Sequence, residues 1–141
     1  MFNTVLVGAD DSRTARRAVE AAVEIAQMSS GRLHIVTAFE STSFSTSTDG
    51  GEFNGLTTES DVDALLQVLS FIARKKGIEP VLHAAKGDPA EVVINTANKI
   101  SADLVVVGNR GMKGVRRVLG SVPNSIAHGA ACSVLIVDTT E

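Results

Sequence analysis

The sequence predicts an α/β protein built on a doubly wound parallel β-sheet, and three observations carry that class. Short, nearly continuous, β-branched apolar runs recur along the chain. Between them lie segments whose apolar residues repeat every 3.6 positions. Apolar runs without alternation suit strands covered on both faces, as a parallel sheet requires. The chain is also the right size, with 141 residues and 44% hydrophobic content. A single domain of that length buries roughly two-thirds of its unfolded surface.

Taken in order, the first strand is Thr4-Val5-Leu6-Val7-Gly8. A helix follows in which Ala15, Ala18, Val19, Ala22 and Ala26 share a face. Asp11 and Ser12 are its candidate N-caps and Ser29-Ser30-Gly31 its stop. Leu33-His34-Ile35-Val36 is the second strand. Val62, Leu65, Leu66, Leu69, Ile72 and Ala73 then keep a helical period up to Lys75-Lys76-Gly77. A weaker strand spans residues 79–85, entered through Pro80, which a strand start or an edge tolerates. Asp88-Pro89 opens the third helix as a cap followed by proline at the first helical position. Its apolar face is Ala90, Val93, Ile94, Ala97 and Ile100. Residues 103–107 form the fourth strand, residues 121–128 the last helix and Val134-Leu135-Ile136-Val137 the closing strand. The resulting order, βαβαβαβαβ, is that of a doubly wound sheet in one domain over residues 1–141. Ser41 to Ser60 breaks the rhythm with Ser, Thr and Gly around isolated Phe44 and Phe53. A segment of that kind reads as a mobile crossover loop, as a lid, or as a phosphorylatable stretch, and the sequence does not separate these.

Composition excludes several classes. The chain has 13 basic against 16 acidic residues, a net charge of −3, which gives no electrostatic reason to expect nucleic acid as a partner. It has no Trp and no Tyr, and five Phe are a poor inventory for stacking single-stranded bases. No apolar run approaches the roughly 20 residues that cross a bilayer. Met1-Phe2-Asn3-Thr4 lacks the basic flank of a leader, so the expectation is a soluble cytoplasmic protein without membrane partners. Cys132 is the one cysteine, which forbids an internal disulfide, and no Cys/His cluster is spaced for zinc.

The informative motif follows the fourth strand and runs Gly108-Asn109-Arg110-Gly111-Met112-Lys113-Gly114-Val115-Arg116-Arg117-Val118-Leu119-Gly120-Ser121. Glycines three residues apart let backbone approach a ligand closely, and successive N–H groups can cradle an anion. Gly120-Ser121 then feeds a helix N-terminus toward the same place. Arg110, Lys113, Arg116 and Arg117 reverse the sign of an otherwise acidic protein, as a phosphate site requires. The same spacing also suits a plain glycine turn before a solvated basic helix. Two other phosphate motifs are absent, G-x-x-x-x-G-K-[ST] and G-x-G-x-x-G. The first turn instead reads Gly8-Ala9-Asp10-Asp11-Ser12, whose carboxylates suit hydroxyls such as those of a ribose.

The two turns together resemble the universal stress protein family over nearly the whole chain. The resemblance rests on the strand ending in an Asp-x-Ser turn at Asp10-Asp11-Ser12, on Gly108, Gly111, Gly120 and Ser121, and on the closing run from Cys132 to Val137. Asp11 stands where many members have Gly, and the spacer from Gly111 to Gly120 is one residue shorter than the family's usual nine. The resemblance implies a Rossmann-like, adenine nucleotide alpha hydrolase-like fold, five parallel strands in the order 3-2-1-4-5, that binds ATP. It implies that Asp10 bonds the nucleoside, that Gly8 and Ala9 line the base pocket and that Ala38 offers backbone contacts to adenine. It places Val107, Gly108, Arg110 and Gly111 around ribose and α-phosphate, and Gly120, Ser121 and Val122 at the outer phosphates. It further implies a homodimer through Ser133 to Asp138.

The catalytic inventory is thin. His34, His83 and His128 lie in no motif, and no base stands beside the glycine loop to activate water. The leading expectation is therefore an ATP-binding stress-response regulator or sensor without catalytic residues. Cyclic AMP is the alternative ligand. A weak ATPase using Mg²⁺ carried with the nucleotide, an autophosphorylating protein and a non-binding dimeric scaffold are the alternative functions.

Overall fold

A computed structural model describes residues 1–12, 14–39, 59–109 and 120–139. Among these, β1 (Thr4–Gly8), α1 (Ala15–Ser29), β2 (Arg32–Phe39), α2 (Glu59–Arg74), β3 (Val81–Lys86), α3 (Pro89–Ile100), β4 (Leu104–Gly108), α4 (Ser121–Gly129) and β5 (Ser133–Val137) alternate along the chain. The strands form one parallel sheet in the order β3-β2-β1-β4-β5. The predicted fold class and strand order are both present.

Strand side chains alternate between two apolar layers. Val5, Val7, Leu33, Ile35 and Val106 pack with Val19, Ala22, Val62 and Leu69, so α1 and α2 cover one face. Leu6, Val36, Val105 and Val107 pack with Val93, Ala97 and Ile126, so α3 and α4 cover the other. The central strands carry apolar residues at consecutive positions because both faces are buried. The edge strand β3 reads weakly because much of it is exposed.

Several boundaries differ from the expectations, each for a local reason. The cap of α1 is Thr14 rather than Asp11 or Ser12, and its side chain makes no capping bond. The Asp10 carboxylate instead accepts the Ser12 N–H at 2.9 Å, folding residues 10–12 into an Asx turn before the helix begins. The stop of α1 does fall within the expected Ser29-Ser30-Gly31, with Ser30 in the left-handed region, φ 55°, and the Gly31 N–H returning to the Ala26 carbonyl. β2 runs on to Phe39, since β3 pairs with it through Phe39 and Lys86. α2 begins at Glu59, which takes residues 59 and 60 out of the Ser/Thr-rich stretch. The rest of that stretch lies outside the described residues. At α3 the expectation holds in detail, with Asp88 accepting the Glu91 N–H and Pro89 at the start.

The edge strand β3 and its neighbour β2 hold a pair of imidazoles. His34 on β2 and His83 on β3 approach to 2.9 Å, Nδ1 to Nε2, with rings stacked at 19° and centroids 5.1 Å apart. Such a bond needs one nitrogen to donate and the other to accept, so two imidazolium ions cannot make it. Burial lowers the pKa of both, aided at His34 by the charges of His83 and Arg32 and at His83 by Lys99. The folded chain therefore binds fewer protons than the unfolded chain just below the ordinary histidine value of 6.5. Stability is complete above that value and falls as pH drops through it toward the lowered values. A proton NMR titration of the histidine ring signals will place His34 and His83 below 6.5. Either one titrating above 6.5 contradicts this account.

Candidate functional site

The order of the sheet opens a crevice at one place. β1 and β4 are neighbours, yet the chain leaves β1 into α1 on one face and leaves β4 toward α4 on the other. Among the described residues no element covers the carboxyl ends of these strands, which is where ligands enter open α/β sheets. A cleft of about 220 Å³ lies there.

Eight of the residues singled out in the sequence line this cleft: Gly8, Ala9, Asp10, Ala38, Val107, Gly108, Ser121 and Val122. Gly120 is buried just behind them as the N-cap of α4. Arg110, Gly111, Lys113, Arg116 and Arg117 lie outside the described residues. Asp11 is exposed and absent from the lining, while Asp10 is exposed at the rim with one oxygen held by Ser12. Of the carboxylates in the first turn, Asp10 is the one that faces the cleft.

Three helices begin at the cleft and they differ in their polarity. α3 contributes Pro89 and Val93, its start is capped by Asp88, and it presents an apolar wall. α1 and α4 start at Thr14 and Gly120 with no side-chain cap. Ser12, Thr14, Ala15, Ser121 and Val122 line the cleft. At the start of α1 the Ala15 and Arg17 N–H groups are taken by the Ser12 and Thr14 carbonyls, while those of Ser121 and Val122 at the start of α4 meet no acceptor among the described residues. A helix start carries about half a positive charge. The cleft thus receives two positive helix ends from opposite faces of one sheet.

The remainder is apolar or backbone. Val36, Val93, Val107, Pro123 and Ile126 form the deep wall. α3 crosses close to β1, since a methyl on Gly8 would lie 2.8 Å from Val93 Cγ2. The Val36 carbonyl accepts the Ala9 N–H at 3.0 Å, toward β1. Ala38, two residues further along β2, directs its backbone groups to that same side, beyond the end of β1. A flat ring with hydrogen-bonding edges has there an apolar slot and a backbone edge to read it.

Thr139 also lines the cleft, and sequence reasoning missed it. It lies two residues past the last apolar run, carries no motif, and is only 2% exposed. Pro89 was legible as a helix start and Val93 as a helix-face residue, although nothing in their spacing pointed to a cleft. Among the described residues no group of three His, Cys, Asp or Glu comes together. No described helix is long and apolar enough to cross a membrane.

Comparison with known proteins gives one consistent family. The model of the universal stress protein family matches residues 1–138. Universal stress protein YxiE of Bacillus subtilis is 31% identical, with the match covering 97% of this chain and 99% of the relative. Universal stress protein A homolog 1 of Coxiella burnetii is 30% identical over 96% of each chain. A solved universal stress protein in complex with cAMP is 31% identical with a TM-score of 0.79, covering 99% of this chain and 98% of that one. The chain belongs to the universal stress protein family.

Proposed function

We propose that the chain binds an adenine nucleotide in the cleft between β1 and β4 and works as a nucleotide-responsive regulator in stress. The observation that carries this reading is the start of α4, which has no side-chain cap and lies on an otherwise apolar slot that the start of α1 also lines. Phosphate takes the N–H groups of Ser121 and Val122 and the Ser121 hydroxyl at the start of α4. The Asp10 carboxylate, already oriented by Ser12, accepts from the ribose hydroxyls. The base lies between Gly8, Ala9 and the valine wall, with its edge on the backbone of Ala38.

ATP is the ligand that the basic residues favour, because Arg110, Lys113, Arg116 and Arg117 follow β4 in an otherwise acidic chain. Cyclic AMP is the second reading, supported by the 31% identical relative solved with cAMP. The two differ in charge and in the number of phosphates, so the basic residues favour ATP more strongly. Mg²⁺ would enter with the triphosphate rather than by a dedicated protein cage. Antiparallel pairing of β5, an edge strand whose Leu135 is 37% exposed, would complete a homodimer through Ser133 to Asp138. Sedimentation equilibrium reads that assembly, and a monomer at every concentration contradicts it.

Titration calorimetry with ATP, AMP and cyclic AMP, with and without Mg²⁺, tests the ligand. Saturable heat with at least one is the expected result, and no heat with any of them overturns the reading. ADP release followed in the same samples separates a binder from a slow ATPase. Ser121→Glu sets a carboxylate against the phosphates and removes a hydroxyl donor. It is expected to weaken binding roughly 10- to 100-fold, the loss of about one charge-assisted bond. Unchanged affinity in that variant would move the phosphate site away from α4.

A further inference from the structure

We propose that the segment after β5 is a working wall of the nucleotide cleft, with Thr139 lining it and Asn109 acting as the residue that positions Thr139 there. The proposal rests on the reading of this cleft as an adenine-nucleotide site. A chain leaving an edge strand is usually poorly ordered unless something ties it down. Here one side chain does the tying. Asn109 Oδ1 accepts both the Thr139 N–H at 3.1 Å and the Thr139 hydroxyl at 2.9 Å. Asn109 Nδ2 donates to Asp138 Oδ1 at 3.3 Å, and the Asn109 N–H donates to the Val137 carbonyl at 3.1 Å. Three successive residues, 137 to 139, are therefore held by a single residue at the exit of β4.

The chemistry is selective for an amide at position 109. A carboxylate would accept from Thr139 but would repel Asp138, and an aliphatic side chain would do neither. The buried Thr139 also needs space that only glycine at 108 leaves. A Cβ on Gly108 would lie 2.9 Å from Thr139 Cγ2. Gly108 thus admits Thr139 as well as a ligand. The result is a cleft wall beside Val107, Gly108 and Ser121 that depends on polar bonds outside the sheet ladder. Loosening those bonds reshapes the cleft without unpairing a strand. A nucleotide packed against Thr139 in turn holds the segment in place.

The experiment compares ATP affinity in Thr139→Val and Thr139→Ser, which separate the hydroxyl bond from the methyl contact at nearly constant size. Thr139→Val is expected to bind ATP roughly three- to tenfold more weakly, the worth of one buried hydrogen bond, while Thr139→Ser stays within about twofold of the parent. Hydrogen exchange on the parent chain should show the Thr139 amide slowed by ATP, and Asn109→Leu should abolish that slowing. Equal affinities in the Val and Ser variants overturn the proposal, whether both fall or both match the parent. So does an exchange rate at Thr139 that ATP leaves unchanged. If the parent chain binds ATP while the variants behave alike, the clasp alone is wrong. If the parent binds no adenine nucleotide, the reading of the cleft fails and the proposal falls with it.

Discussion

The pairing of β1 with β4 is the constraint on which the site depends. Two parallel strands from distant parts of the chain lie side by side, and the connections that follow them go to opposite faces. A sheet wound in one sense would lay each crossover over the preceding strand end. Here the direction in which strands are added reverses between β1 and β4, and among the described residues their ends remain uncovered. The cleft is a product of topology before any side chain is considered. The two apolar layers make the frame rigid enough to hold it open, because the central strands are buried on both sides.

Side chains then decide what the cleft can accept. The contrast between α3 and its neighbours is the informative one. Asp88 accepts the Glu91 N–H and Pro89 has none to offer, so what α3 brings to the cleft, Pro89 and Val93, is apolar. Thr14 and Gly120 supply no such cap; the Ser12 and Thr14 carbonyls take two early N–H groups of α1, while those of Ser121 and Val122 at α4 meet no acceptor among the described residues. Charge follows the same division along the chain. The formal charge of −3 argues against long polyanions, yet the basic residues cluster after β4, next to the start of α4. That arrangement suits one small phosphate-bearing ligand.

Most of the frame was legible in the sequence because burial on both faces leaves an unmistakable apolar run, as at Val5-Leu6-Val7 and Val105-Val106-Val107. Of the residues that line the cleft, Gly108 and Ser121 were legible through backbone needs, since glycines and a helix start are visible as letters, while Gly8, Ala9, Asp10 and Val122 were named through the family resemblance of the two turns. The start of α1 was misread because Asp10 bonds within its own turn, and a short polar side chain before a helix does not say which N–H it will choose. Thr139 was illegible for a different reason. Its burial depends on Asn109, thirty positions earlier, and a contact that is made across two strand ends has no local spacing to detect. The His34–His83 bond was missed likewise, since the register of β2 against β3 creates it.

The central claim is that the ends of β1 and β4, with the start of α4, enclose one adenine nucleotide. Amide chemical-shift mapping by NMR during an ATP titration tests it most directly, since it reads every backbone N–H at once. The account predicts the largest shifts at Gly8, Ala9, Ala38, Gly108, Ser121 and Val122, with the exposed edge of β3 unmoved. Shifts gathered on β3 or on the outer surface of α2, or none at saturating ATP, would contradict it.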